Sequence, residues 1–451
     1  MKIFNELIDY SCFEQFDIEK LQEYLILPIN YDGIYFKCFI CEKSNLDALN
    51  IKGLIRSEYL NKDDILFFLS DVKLRTKLFE LTKKAEKSES INDTSIEDFF
   101  SLIINKAIEV RSSDIHIESL EDNMTIRFRV DGNLKIFFIY EKKFIVILSS
   151  YIKMISKLDI TMSRLPMDGR FSLYVKSYKY DFRISTMPTI SGESIVIRVL
   201  DNKTIKKSIE ELGFSKNIYD EVENIVNLTQ GLVLVSGPTG SGKSTTLYSI
   251  LKKLNKENKK IITIEDPVEY KLEQTQQISV DEELGLSFSS ILRTVLRQDP
   301  DILLIGEIRD TDSLNIALQA SLTGHLVLAS IHANDSLETL SRLIDLKADN
   351  YLLSSSLKYI ISQRLVLNIC QKCSKKGCEI CNFTGYYNRS SIAEIIKVDE
   401  TLSSFIFKNE ELKNIKGYLK TQGFRSMLDD GKKKVDEGIT VLEEVYKVIN
   451  S

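Results

Sequence analysis

Apolar and polar positions alternate along this chain with two different periods, and the period changes at identifiable places. In the first 81 residues, YFKCFIC (35–41) carries the apolar run of a strand, while DIEKLQEYL and KDDILFFLSDV have helical spacing. Residues 1–81 are therefore expected to form a small N-terminal α/β domain. The segment TKKAEKSESINDTS (82–95) has no aromatic residue and is dense in charges and hydroxyls, a linker composition. Its last residue, Ser95, stands as a cap before IEDFFSLIINKAIEV, whose apolar residues recur at i, i+3 and i+4.

From residue 112 the period becomes that of strands. DIHIE, MTIRFRVDGNLKIFF, RFSLYV, YKYDFRIST and ESIVIRVL are alternating runs separated by Asp-Gly, Ser-Tyr and Ser-Gly turns, with one helix at about 144–158. Residues 96–204 thus read as a second, α+β domain. After a short charged connection the character changes again. GLVLVS (231–236), IITI (261–264), ILLIG (302–306) and HLVLASI (325–331) are continuous apolar runs, each followed by a loop and a helical pattern. That order predicts an α/β domain over 205–451, built on a mostly parallel sheet covered on both faces.

Composition narrows the function classes. The 451 residues amount to about three domains at roughly 150 residues each. With 43% apolar and 28% charged residues the chain is globular rather than disordered or fibrous. A net charge of −5 supplies no overall basic character for a nucleic-acid partner. Three histidines, His116, His325 and His332, argue against a histidine-rich metalloenzyme. The start, MKIFNELIDYSCFEQ, shows no secretory signal, and no apolar run approaches the ~18–20 residues of a membrane span. Seven cysteines, an odd number, fit a reducing cytoplasm better than a disulfide scaffold. Membrane association is then expected only through a partner.

Directly after GLVLVS stands GPTGSGKST (237–245), which fits G-x-x-x-x-G-K-[ST]. Gly237, Gly240 and Gly242 let the loop turn its backbone N–H groups inward. With the following helix N-terminus those donors form a cradle for phosphates. Pro238, Thr239, Ser241 and Thr245 complete the nucleotide-binding stretch. Lys243 would reach the β- and γ-phosphates, and Ser244 would offer its hydroxyl to Mg²⁺.

Ligands of an open parallel sheet sit beyond the carboxyl ends of its strands. IITI is followed by Glu265-Asp266-Pro267, ILLIG by Glu307-Ile308-Arg309-Asp310, and HLVLASI ends at His332. These groups could assist a metal or orient the attacking water; a single strand-end acid could instead cap the next helix. His325 and His332, seven apart, face opposite sides of a strand, which disfavours a shared metal site. His332 is the candidate phosphate sensor, and His325 stays open between a structural and a functional role. Arg293 and Arg297 lie one helical turn apart, with phosphate and carboxylate partners both open.

The residues resemble a known family, the secretion and pilus-assembly ATPases of type II secretion and type IV pilus systems. The matching stretches are SDIHIE (113–118), RFRVDG (127–132), RLPMDGR (164–170), SGESIVIRVL (191–200), TIEDPVEY (263–270), LRQDPDILLIGEIRD (296–310), QASLTGHLVLASIHAND (319–335), ISQRLV (361–366) and GKKKVDEGITVLEEV (431–445). The resemblance covers about residue 96 to the C-terminus and, more faintly, 20–80. It implies a homohexameric ring of RecA-like P-loop domains, each preceded by a PAS-like domain. It also implies ATP hydrolysis with Mg²⁺. Glu265 becomes a candidate general base; Glu307 would act on Mg²⁺ and its waters, and His332 on the γ-phosphate. The base stays open between the two glutamates. Arg170 and Arg183 match arginines that the family presents to nucleotide, across a subunit boundary. Arg293, Arg297 and Arg309 lie in matching arginine-bearing segments, with ion pairing in the core as the alternative.

Cys370, Cys373, Cys378 and Cys381 read C-x₂-C-x₄-C-x₂-C, a closed tetrahedral Zn²⁺ site with no open position for catalysis. The family's assembly-type members carry such a motif, usually with a longer spacer between the pairs. Cys38 and Cys41, on an apolar strand without a second pair, read as packing residues.

The leading expectation is a cytoplasmic hexameric ATPase that powers assembly of type IV pilus or type II secretion pseudopilus subunits. It would be recruited to the inner face of the cytoplasmic membrane through a platform protein and a membrane-associated adaptor. One alternative is a pilus-retraction ATPase, whose members generally lack the tetracysteine cluster and the extra N-terminal unit. The alternative from another class is a nucleic-acid translocase or DNA-binding zinc protein. Its sole support is the cluster of Lys372, Lys375, Lys376 and Arg389 with Phe383, Tyr386 and Tyr387. No direct nucleic-acid contact is expected.

Overall fold

The computed structural model describes residues 6–51, 53–87, 94–200 and 207–450. They fall into two compact units, Met1–Asp201 with Cys370–Tyr387, and Asn202–Ile369 with Asn388–Ser451. The predicted boundary at 204/205 lies outside the described residues.

The first unit opens with helix α1 (Ile18–Tyr24) and a three-stranded sheet, β1 (Ile26–Tyr31), β2 (Tyr35–Ile40) and β3 (Leu54–Tyr59). Its order is β1-β2-β3, with the first pair antiparallel and the second parallel. Helices α2 (Lys62–Ser70) and α3 (Val72–Lys87) follow. Here the structure corrects the linker expected at 82–95, because α3 runs through Lys87. Leu78, Leu81 and Thr82 continue its buried stripe, and the Thr82 hydroxyl bonds back to the Phe79 carbonyl at 2.7 Å. Polar composition therefore misled where one helical face was already committed to a core. The rest of that segment, 88–93, lies outside the described residues. Helix α4 (Ser95–Glu109) begins at Ser95 itself, so the cap position belongs to Thr94, which makes no capping hydrogen bond through its side chain.

Six antiparallel strands then build the larger sheet: β4 (Ser112–Ser119), β5 (Asn123–Val130), β6 (Asn133–Glu141), β7 (Met167–Val175), β8 (Tyr178–Thr189) and β9 (Gly192–Leu200). Their order is β6-β5-β4-β9-β8-β7. Helix α5 (Phe144–Ile155) separates β6 from β7. The expected Asp-Gly turn closes the β5–β6 hairpin, with Asp131 and Gly132 both at positive φ, 50° and 89°. One continuous apolar core runs from Phe36 and Phe39 of β2 through Phe99 and Phe144 to Ile195 and Ile197 of β9. The two predicted N-terminal domains thus share a core.

The second unit carries a seven-stranded sheet: β10 (Gly231–Ser236), β11 (Ile261–Glu265), β12 (Thr275–Ser279), β13 (Ile302–Ile305), β14 (Leu326–Ile331), β15 (Leu357–Ile369) and β16 (Tyr386–Lys397). The order is β12-β11-β13-β14-β10-β15-β16, with parallel pairing from β12 through β15. The four predicted apolar runs form its centre. Their side chains alternate between two cores: Leu232, Leu234, Val327 and Ala329 lie on one face, and Val233, Val235, Leu326 and Leu328 on the other. Continuous apolar strands are what a sheet covered on both faces requires. Helices α6 (Lys216–Val226), α7 (Lys243–Leu254), α8 (Phe288–Val295), α9 (Thr311–Leu322), α10 (Ser336–Asp345), α11 (Asn350–Ser356), α12 (Glu400–Phe407), α13 (Leu412–Thr421), α14 (Met427–Asp436) and α15 (Leu442–Ile449) surround it.

Candidate nucleotide-binding and catalytic site

Strand β10 ends at Ser236, and the loop that follows is shaped by three glycines at positive φ: Gly237 (148°), Gly240 (78°) and Gly242 (92°). A side chain at Gly237 would stand 2.7 Å from the Gln363 carbonyl oxygen, so the first position tolerates only glycine. Open space surrounds Gly240. Gly242 caps α7, which places Lys243, Ser244 and Thr245 in that helix's first turn. Lys243 Nζ donates to the carbonyls of Gly237 (2.7 Å) and Pro238 (3.1 Å), which holds the ammonium at the mouth of the loop. Burial lowers its pKa below the usual lysine value, against the opposing pull of Glu307. The Ser241 hydroxyl is buried and has no partner among the described residues. An orphaned hydroxyl, an exposed Ser244 hydroxyl and a helix N-terminus converge on one cradle, a donor set that fits a phosphate chain.

The neighbouring strand ends supply the acids. Gly306, between β13 and Glu307, lets the chain pass close to β11: a Cβ there would lie 3.1 Å from the Ile264 carbonyl. Glu307 is bracketed, with His332 Nε2 3.2 Å from its Oε1 and Arg309 Nε donating to its Oε2 at 2.6 Å. Arg309 also donates from Nη1 to Asp266 Oδ2 at 3.1 Å. The Glu307 carboxylate beside it, and Asp266 after that, raise the guanidinium's pKa above its ordinary value. Asp266, Arg309, Glu307 and His332 therefore form one connected polar chain along the carboxyl edge of β11, β13 and β14.

Glu265 sits one residue from Asp266 but in a different environment. Only 6% exposed, it accepts from the Tyr248 hydroxyl of α7, from Thr263 Oγ1 at 2.6 Å and from Gln277 Nε2 at 3.2 Å. Its orientation is fixed by three donors. The two glutamates between which the base stayed open thus differ in surroundings: the charge of Glu307 acts on the loop lysine, and Glu265 is anchored to Tyr248 of α7.

The other named residues separate clearly. Asp310 takes the bland role, capping α9 by accepting from Ser313 N at 2.8 Å. His325 lies at the opposite end of β14 from His332, with Nδ1 2.8 Å from the Ala320 carbonyl. Arg293 approaches Asp312 at 3.8 Å, and Arg297 donates to the Arg293 carbonyl at 3.0 Å; both are exposed and neither joins the polar chain. In the first unit, Arg170 faces Arg183 across β7 and β8, Arg183 faces Arg198 across β8 and β9, and Arg198 and Arg129 both face Asp114. Arg198 Nε is paired with Asp114 Oδ1 at 3.1 Å, and Arg183 and Arg170 stand next to it in register. Sequence reading did not single out Arg198, Tyr248, Gln277 or Gln363, although two of the matching stretches, SGESIVIRVL and ISQRLV, contain Arg198 and Gln363.

The four cysteines of 370–381 come together. Their sulfurs all lie within 4.8 Å of one another, with Cys370–Cys378 and Cys373–Cys381 at 3.8 Å and Cys378–Cys381 at 3.7 Å. Tetrahedral Zn–S bonds of about 2.3 Å give S···S separations near ~3.8 Å, so the thiols fit zinc. The backbone N–H groups of Cys378 and Gly385 donate to Cys381 Sγ at 3.2 and 3.3 Å, which favours a thiolate. The sequence placed this element within the C-terminal domain; the fold groups it with the first unit. There Lys135 Nζ donates to the Asn382 carbonyl at 3.1 Å, Arg111 lies 3.9 Å over the Tyr387 ring, and Phe383 packs against the core. Cys38 is buried in β2, and burial pushes its thiol up to about 12, an inert packing residue.

Among the described residues, no helix is long and apolar enough to cross a membrane. The family described as "Type II/IV secretion system protein" matches residues 89–447. Type II secretion system protein HxcR of Pseudomonas aeruginosa is 38% identical over 387 residues, covering 84% of this chain and 82% of the relative. The type II secretion system ATPase E of Vibrio cholerae is 38% identical over 394 residues, covering 82% and 78%. Among solved structures, the pilus retraction motor PilT with bound ADP superposes with a TM-score of 0.58 at 27% identity, covering 77% of this chain and 96% of that one. The ATPase DotB of Legionella pneumophila gives 0.62 at 20% identity, covering 81% and 98%, and supports the fold alone.

Proposed function

Because this chain belongs to the type II/IV secretion system protein family, a family of P-loop ATPases, we propose that it hydrolyses ATP to power assembly of type IV pilus or type II secretion pseudopilus subunits. The observation that carries this reading is the glycine-shaped loop of β10–α7 with Glu307 presented from the adjoining sheet edge. Backbone donors of 237–245 bind the phosphates, and Lys243 neutralises charge on the transferred group. Ser244 and Glu307 would hold Mg²⁺, which would supply further charge neutralisation. Glu265 and Glu307 share the work of orienting and deprotonating the attacking water. Glu265, locked by three donors, is the fixed element, and His332 reports on the γ-phosphate. Arg170 and Arg183, beside the Arg198–Asp114 pair, are offered to the nucleotide site of a neighbouring copy in a homohexamer. Arg293 and Arg297 keep surface roles in this reading, and Arg309 orients Glu307.

The family membership supports a cytoplasmic protein held at the inner membrane by a platform protein and an adaptor. The cysteine cluster supports an assembly motor over a retraction motor. Replacing Lys243 by Ala tests the reading. Hydrolysis should fall by at least about a hundred-fold, because one positioned charge at the transition state is lost, while the circular-dichroism spectrum stays unchanged. Turnover equal to that of the unsubstituted chain would refute the motor assignment.

A further inference from the structure

Gln363 lies one residue beyond the point where β15 pairs with the end of β10, at Ser236 and Ser362. It is fully buried, and its amide is divided between two parts of the phosphate loop. Nε2 donates to the Ser241 carbonyl at 2.9 Å, and Oε1 accepts from Thr246 Oγ1 at 2.8 Å. Its backbone oxygen closes on Gly237, and its Nε2 would lie 3.0 Å from a Cβ at Gly242. The side chain thus touches the loop at its middle, at its last glycine and in the first turn of α7, while the residue's backbone carbonyl closes on the first glycine. Neither hydrogen bond involves a group that meets phosphate, and Thr246 is itself buried.

A loop that binds anions through backbone N–H groups must hold those groups in one arrangement, and fixing a backbone costs conformational entropy. When the arrangement is held in advance, binding loses less. We propose that Gln363 is a positioning residue that keeps the phosphate loop in its nucleotide-ready shape, and so sets nucleotide affinity rather than the rate of hydrolysis. This rests on the loop being the nucleotide site. An amide suits the position because it pairs one donor with one acceptor. Glutamate would face the Ser241 carbonyl with a second acceptor, and leucine would leave both buried partners unpaired.

The experiment uses the full chain and measures ADP affinity by calorimetry, together with KM and kcat for ATP. Gln363→Leu should raise the ADP Kd and the ATP KM about tenfold, with kcat at saturation within about twofold. Gln363→Glu, nearly isosteric, should weaken binding at least as much, which separates the hydrogen bond from the packing. Thr246→Val removes only the Oε1 contact and should raise Kd about threefold; it also serves if either Gln363 variant fails to fold. A fall in kcat with KM unchanged, or unchanged ADP affinity in Gln363→Glu or Thr246→Val, overturns the inference. Failure of the nucleotide reading looks different: the unsubstituted chain would itself bind no ADP, and both conclusions would fall together.

Discussion

Tyr248→Phe tests whether the anchoring of Glu265 matters for hydrolysis. The substitution deletes one hydroxyl and leaves the ring in its edge-to-face contact with Tyr270, at a 6.3 Å centroid separation. Tyr248 is 2% exposed, and its hydroxyl is the one donor to Glu265 Oε2 among the described residues; Thr263 and Gln277 both reach Oε1. Burial, reinforced by the adjacent Glu265 charge, pushes the phenol far above its usual value, so it remains a donor throughout the working pH range. Removing a hydrogen bond to a buried charged group costs about 1.5–3 kcal/mol. If that full amount is lost from the transition state, the rate falls roughly ten- to a hundred-fold, since about 1.4 kcal/mol is tenfold. A coupled assay of ATP hydrolysis should therefore show kcat lower by about tenfold or more, with KM within about twofold, because the proposed role of Glu265 is on the attacking water rather than in holding the nucleotide. Urea unfolding on the same sample reports the share lost to stability. A variant with normal kcat and only a lower urea midpoint would show that the three-donor anchor is structural, and the role proposed for Glu265 would have to be withdrawn.

Metal analysis of protein purified without added chelator should find about one zinc per chain. Cys373→Ser should lose most of it and lower the melting temperature, because the element also packs Phe383 into the first unit's core; full zinc retention would remove Cys373 from the ligand set. Gly431, on α14, should not tolerate alanine: the added Cβ would stand 2.4 Å from Val445 Cγ1 of α15. Overpacking of this kind costs about 1–3 kcal/mol in urea unfolding. The Gly431→Ala/Val445→Ala double variant should lose less than the sum of the two single changes.

Much of this molecule is legible one segment at a time. The phosphate loop, the four central strands and the cysteine cluster each write their requirements in consecutive residues. A cradle of successive backbone N–H groups needs glycines at fixed spacing, a strand covered on both faces needs an unbroken apolar run, and a closed zinc site needs two close thiol pairs. These features were readable from GPTGSGKST, GLVLVS and the C-x₂-C pairs before any fold was known. The tertiary structure decided what lies between segments. β15 hides Ser362, Gln363 and Arg364 in the interior, where their polarity disguises a strand, and only the partners brought in from elsewhere make that burial affordable. Gln363 meets Ser241 and Thr246 across more than a hundred residues, and Tyr248 meets Glu265 from another element. Arginines 170, 183 and 198 become neighbours only through strand register. A side chain's hydrogen-bond partner is set by the path of the whole chain, so the residues proposed to bind phosphate were legible in the sequence, while the contacts that hold their loop emerged only from the fold.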